Sequence, residues 1–441
     1  MSKRRVVVTG LGTISPLGLT SQDMWTGLCE GRTGADTIKA FDPVEFPCKI
    51  AGEVPEFKIR NYVPKSHRKA TKLMSRDIEL SIVAADEAIK NSGLVTRADE
   101  TEQVSVSPER RAICFGAGLI SCDLVELAPS VALSITENQF DIHKWGKAGL
   151  ESLTPLWLLK YLPNMLPCHV GIIHDIQGPS NTITCGEVAA YIAIAEAAEM
   201  VTRGDAEIAL GGGCEAKVNP IVMARQCLLK RSTFDYNDQP EKAVRPFDAK
   251  ASGSVFGEAA GVLVLEELEF AKSRNASILA EIVGYASSNS LNKQFEHLEP
   301  DGKGIQVAIQ KALEEAGIKP DQIDLIVPAG TGIAVDDKAE AVALNAVFGE
   351  MLNNITVWPI KSMTTHTGAA AGAIDLIATV QAIHNKRIGP SKNYDTPAEG
   401  CRLNIVKEGL EKETNYALCC GYSFGGQTAA IVVKKYEETA S

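Results

Sequence analysis

No run of about 18 uninterrupted apolar residues occurs in this sequence, which excludes a membrane-spanning helix. The nearest approach, "LWLLKYLPNMLP", is broken by Lys160 and Pro163. No basic stretch followed by an apolar segment opens the chain; Lys3, Arg4 and Arg5 run straight into "VVVTG". A basic excess is also missing. The 44 Lys and Arg face 55 Asp and Glu, a net charge of −11, which argues against a general nucleic-acid binder. The eleven cysteines show neither CxxC nor Cys/His metal spacing. With no secretory signal they read as reduced, small apolar core residues of a cytoplasmic protein, with no metal site. The Gly-containing turns "LGTISPLG" and "GGGCEA" lack the phosphate-loop pattern, so no nucleotide or flavin site is indicated.

What is present is a soluble composition: 441 residues, 45% hydrophobic and 22% charged, enough for two domains or one large two-part fold. Short β-branched runs alternate with helical segments. "RVVVTGLG", "AICFGAG", "NTITC", "AEIALGGG" and "GVLVLEE" are the strand candidates of the first half. "ILAEIVGYAS", "DLIVPAGTG", "TVWPIKS", "NYALCCGYS" and "TAAIVVKKY" are those of the second. Apolar strands separated by helices predict an α/β sheet covered on both faces. Five strands in each half suggest two related units, residues 1–267 and 268–441, without a letter-by-letter repeat. The polar stretches at 95–110 and 234–248 read as loops. Residues 120–170 are long for a simple crossover and read either as an excursion carrying a partner surface or tunnel wall, or as a surface insertion.

One stretch raises a chemical question. In "SNTITCGEVAAY" (180–191) a strand ends, a Cys and a Gly follow, and a helix begins. Tyr191, Ile194, Ala195, Ala198 and Val201 share one face of the helix expected over 188–203, which Gly204 and Asp205 close. Cys185-Gly186-Glu187 therefore occupies a strand-to-helix elbow. Such an elbow exposes a side chain to a cleft and aims free N–H groups at it. A thiol there would be activated by the helix N-terminus. The plainer alternative is a buried Cys followed by an ordinary acid in the first helical turn.

Six further stretches bear on the choice: "VVVTGLGTISPLG" (6–18), "GPSNTIT" (178–184), "RPFDAKASGSVFGEAAGVLVLEE" (245–267), "PAGTGIAVDDKAEA" (328–341), "KSMTTHTGAAAG" (361–372) and "SFGGQTAAIVV" (423–433). Together, in this order and over essentially the whole chain, they resemble the β-ketoacyl-ACP synthases, the condensing enzymes of fatty-acid and polyketide synthesis. The resemblance implies a thiolase-like fold of two pseudo-repeated halves in a five-layer α/β/α/β/α sandwich, normally a dimer. It also implies acyl carrier protein (ACP) as a partner, with phosphopantetheine arriving on that carrier and no cofactor bound to the chain itself.

The family's nucleophilic Cys stands seven residues beyond the Pro of a Gly-Pro pair. Counted from Pro179, that place belongs to Glu187. Cys185 lies two residues early, and two extra residues would turn the following helix by roughly 200°. It remains the alternative nucleophile. The family's first His falls at Ala329, in "AGT" with Thr331, so a hydrogen-bond donor is lost. Lys361 and His366 match the family's Lys and second His, Glu258 its acidic partner, and Phe424, Gly425 and Gly426 its gate loop. The basic cluster Lys65, Arg68, Lys69, Lys72 and Arg76 would suit an acidic carrier; a solvated helix face is the alternative.

A carboxylate at 187 would give a mixed anhydride, too reactive to hold a growing chain. The resemblance therefore implies a catalytically silent subunit, similar to a chain-length factor, paired with an active synthase across "NTITC" and parts of 120–170. The alternatives are a malonyl-ACP decarboxylase, a divergent condensing enzyme and a binding scaffold on a relic fold, and a homodimer is the alternative to the heterodimer.

Overall fold

The computed structural model describes residues 4–101, 103–292 and 296–438. Each of the ten strand candidates enters one mixed sheet. They are β1 (Val6–Ile14), β2 (Arg111–Ala117), β3 (Ser180–Ile183), β4 (Ile208–Ala216) and β5 (Glu258–Glu267) from the first half. The second half supplies β6 (Ala280–Asn289), β7 (Leu325–Val327), β8 (Thr356–Val357), β9 (Tyr416–Tyr422) and β10 (Gln427–Lys434). Among the described residues the spatial order is β8-β7-β9-β10-β6-β1-β5-β4-β2-β3.

That order contains its own repeat. Numbered one to five within each half, the strands lie 3-2-4-5-1 in both. The third, second and fourth strands are parallel, and the fifth and first are antiparallel to their neighbours. The halves join where β1 meets β6, through three residue pairs. This is the thiolase-like α/β architecture. The near-continuous apolar strands reflect its double cover: all nine residues of β1 and all seven of β2 are buried.

Two helices fill the centre, α1 (Ala189–Thr202) after β3 and α2 (Ala371–Asn385) after β8. In α2 every residue from Ala371 to Ile383 is buried, as expected of a helix with no polar face. In α1 the buried set includes Tyr191, Ile194, Ala198 and Val201, while Ala195 is half-buried. The described residues of the loops, 95–101, 103–110 and 234–248, are mostly irregular, with short 3₁₀ turns. The 120–170 excursion holds a helix (Leu124–Leu133), a two-stranded hairpin and short helical turns. It carries exposed apolar side chains, among them Val125, Phe140, Ile142 and Leu158.

The repeat positions the chemistry. The connection from the third strand to the central helix carries Cys185-Gly186-Glu187 in the first half and Lys361 to His366 in the second. Both lie at the carboxyl ends of parallel strands, where α/β sheets place their ligands.

Candidate active site

Gly186 forms the elbow at φ +60°, a conformation costly for residues with a Cβ. Glu187 follows, buried, and each of its oxygens has a partner. Oε1 accepts from Arg231 Nη1 at 2.8 Å; Oε2 accepts from the Phe424 backbone N–H at 3.0 Å. Arg231 is itself buried, with its guanidinium 5.4 Å from the Phe256 ring centre and 5.1 Å from that of Phe424. Burial pushes the Glu187 carboxyl upward. The charges of Arg231 and Lys217 and the Arg231 hydrogen bond outweigh it, so the group stays well below the usual carboxylate range. Glu187 is an anion locked in an ion pair.

Cys185 is placed differently. Its side chain packs against the central apolar cluster, and burial raises its thiol. The cavity of about 470 Å³ at the elbow is lined by Thr184, Gly186 and Glu187, with Leu119, Glu215, Lys217, Arg225, Gln226, Arg231 and Phe424, and not by Cys185.

The gate loop joins β9 to β10. Gly425 and Gly426 take φ of +110° and +100°, which a side chain would oppose. Ser423 Oγ hydrogen-bonds the Cys185 carbonyl and accepts from the Val188 N–H at 3.1 Å. With the Phe424–Glu187 bond, the gate is tied to the elbow at three points. The Phe424 N–H, which could otherwise hold a thioester oxyanion, is taken by a carboxylate of the same chain.

His366 is buried, its ring 4.9 Å from that of Phe256. Burial holds it well below its ordinary range. Arg231, Lys361 and Lys217 push the same way and Glu187 opposes them. Nδ1 accepts from the Gly368 N–H at 3.3 Å, which leaves the ring proton on Nε2. His366 is thus a neutral donor. Thr365, beside it, sits at φ 62°, ψ −177°, a region almost confined to glycine, and its buried Oγ1 has no hydrogen-bond partner. Strain of about 1–3 kcal/mol is expected there. T365G should raise the unfolding free energy by about 1 kcal/mol, after the entropy cost of a new glycine, as measured by the denaturant midpoint.

Lys361 binds Asp375 on α2 at 2.8 and 3.1 Å, and Asp375 also accepts from the Tyr191 hydroxyl at 2.8 Å. The acidic partner of Lys361 is therefore Asp375. Glu258 opens β5 on the other side of the loop, where it accepts from Arg76 at 2.7 and 3.1 Å and from the Val54 N–H. The pairing of Glu258 with the Lys/His loop is corrected accordingly, because Arg76 satisfies its charge. Arg76, also stacked over Phe57, leaves the basic surface cluster for the same reason. Lys65, Arg68, Lys69 and Lys72 remain exposed on one 3₁₀ helix, Lys65–Leu73.

Ala329 is buried. Its N–H and that of Gly330 donate to the two oxygens of Glu340, whose carboxyl is pushed up to about 8 by burial. A methyl group is all that position 329 offers. Thr331 does not line the elbow cavity, because its hydroxyl is turned to Tyr422 and Asp337 in the interior.

Sequence reasoning missed Arg231, Lys217, Glu215 and Asp375. Lys217 pairs with Glu215 at 2.8 Å, and Glu215 accepts from the Ala369 N–H. Asp375 had a readable signal, as the one charge within the apolar run "GAIDLIATV". Arg231, in "LLKRST", had none.

The elbow and the Lys361–His366 loop thus meet at the carboxyl ends of the repeated parallel strands. Residues 3–271 match the beta-ketoacyl synthase N-terminal domain and residues 279–395 its C-terminal domain; the chain belongs to the β-ketoacyl synthase family. It is 33% identical over 440 residues to a 3-oxoacyl-(acyl-carrier-protein) synthase 2 of Vibrio harveyi, covering 99% of this chain and all of that one. The Vibrio cholerae protein of the same name is 32% identical, with the same coverage. Among solved structures, a chain of the ishigamide ketosynthase/chain length factor superposes with a TM-score of 0.83 at 28% identity, over 99% of this chain and all of that one. A type II PKS acyl-carrier protein in complex with its ketosynthase bound to the hexaketide matches at 0.81 and 26%, over the same shares. No helix among the described residues is long and apolar enough to cross a membrane.

Proposed function

We propose that this chain is a catalytically silent ketosynthase subunit of fatty-acid or polyketide synthesis, pairing with an active β-ketoacyl-ACP synthase and shaping the pocket for its acyl chain. The observation that carries the reading is the Glu187–Arg231 pair closed by the Phe424 N–H. Condensation needs a thiolate to take the acyl chain and free donors to stabilise the oxyanion and the enolate. Here the nucleophile's place holds an anion, one donor is bound to it, and Ala329 supplies none.

The same site weighs against a decarboxylase. A malonyl carboxylate 4 Å from ionised Glu187 is repelled by roughly 4 kcal/mol at an effective dielectric near 20. Of the cations lining the cavity, Arg231 and Lys217 already hold Glu187 and Glu215, which leaves Arg225 alone among the described residues to offset this. A condensing enzyme acting through Cys185 draws support from the relatives, which carry synthase names. The raised thiol and its position off the cavity weigh against it. The partner surface is supported by β3, which among the described residues is an edge strand with a neighbour on one side, and by the exposed apolar side chains of the excursion.

The test is turnover of acyl-ACP and malonyl-ACP by the purified chain, alone and co-expressed with an intact synthase. Elongation only with the partner supports the reading; elongation by the chain alone sinks it. Carrier binding has its own check. Reversing Lys65, Arg68, Lys69 and Lys72 to Glu should weaken ACP association about tenfold or more at low salt. The difference should shrink near 0.5 M salt, as measured by titration.

A further inference from the structure

The charges around the elbow cavity do not cancel. Three cations line it, Lys217, Arg225 and Arg231, against two anions, Glu187 and Glu215. Two of the cations are matched: Arg231 with Glu187 and Lys217 with Glu215, each at 2.8 Å. Arg225, on the helix Pro220–Leu228, is half-buried, and its guanidinium has no hydrogen-bond or ion-pair partner among the described residues. Its neighbour Gln226 is buried and accepts from Arg231 through Oε1 at 3.4 Å. The Gln226 amide NH₂ has no protein partner among the described residues. The cavity thus presents one uncompensated positive charge and one free amide donor.

Its walls also say where a ligand enters. Leu119 and Thr184 belong to the segments that follow β2 and β3, next to the sheet edge, and Leu119 is 62% exposed. These segments adjoin the sheet edge on which the silent-subunit reading places the partner. A hydrocarbon chain ending there would desolvate five charged side chains with nothing to offer them.

We propose that this cavity receives the far end of an acyl chain that terminates in a carboxylate, with Arg225 as the residue that selects it and Gln226 as the second donor. A guanidinium bound to a carboxylate through charge-assisted hydrogen bonds is a discriminating contact, because a methyl terminus leaves the cation buried and unpaired. The entry route rests on the silent-subunit reading; the preference for a carboxylate end does not, and binding is measured without turnover.

The experiment titrates the purified chain, and its complex with an active synthase, with two N-acetylcysteamine thioesters of equal length, hexanoyl and adipoyl, and with inorganic phosphate. Adipoyl should bind about tenfold or more tightly than hexanoyl. R225Q should abolish that difference, weakening adipoyl and, with the unpaired cation gone, tightening hexanoyl, and R225K should restore part of it. Equal affinities for the two thioesters overturn the proposal. So does displacement of adipoyl by phosphate at equal concentration, which would mark a general anion site. A chain that binds adipoyl selectively and yet elongates acyl-ACP alone would refute the silent-subunit reading and leave this one standing.

Discussion

E187C should become acylated by an acyl-ACP thioester where the parent chain does not, and E187C/A329H should then elongate that acyl group at least about 100-fold faster than E187C. The first half follows from the elbow. The introduced sulfur would stand at the start of α1 beside Arg231, and both the helix terminus and the guanidinium favour a thiolate. Loss of the carboxylate also frees the Phe424 N–H, which then faces the thioester oxygen. Acylation by itself is not condensation. His366 is one neutral donor; position 329 is a methyl, and a single oxyanion donor is worth about 10² to 10³ in rate. The measurement is single-turnover acyl transfer followed by product analysis with malonyl-ACP. Thiol-directed alkylation of the parent chain is its control. Stoichiometric labelling of Cys185 in the parent, with elongation that E187C does not raise, would place the active sulfur two residues early and end the silent-subunit account.

The ten strands were legible because each is a short apolar run bounded by turn residues, and a doubly covered sheet demands that pattern. The pseudo-repeat showed only as five strands in each half. Shared topology survives when side chains have diverged, so the 3-2-4-5-1 order had no letters to announce it. The elbow was legible through helix phase: Tyr191, Ile194, Ala198 and Val201 fix the register that brings Glu187 to the cavity and leaves Cys185 against the core. Long-range pairing was not legible. Glu258 and Arg76 lie 182 residues apart, and Glu187 and Arg231 lie 44 apart. No local rule connects such partners, so Glu258 was given to the wrong cation and Arg231 was overlooked. Thr331 failed for a related reason. Spacing places a residue in a loop, but the direction of its hydroxyl depends on Tyr422 and Asp337, which only the folded chain assembles.

The partnership of Glu187 with Arg231 also sets the largest expected stability effect. R231M should cost about 3–5 kcal/mol, because it leaves a buried carboxylate without its ion-pair partner. E187Q should cost a comparable amount by stranding the guanidinium between Phe256 and Phe424. The double variant E187Q/R231M should return to within about 2 kcal/mol of the parent, since it removes both charges together. The pH dependence has a definite sign. In the parent the Glu187 carboxyl is held below its unfolded value, so the stabilisation it brings is present above the ordinary carboxylate range and is lost as pH falls through the depressed value. In R231M the largest opposing charge is gone and burial raises the carboxyl instead. That variant is least disadvantaged in acid, and the gap to the parent should widen as pH rises through about 4.5 toward neutrality. Denaturant unfolding of the four proteins at pH 4.5 and 7.5 measures all of this. Additive losses, with no recovery in the double variant and no change of the gap with pH, would mean that the two side chains do not act as a pair. Glu187 would then be free to turn, and the elbow would be open to a substrate.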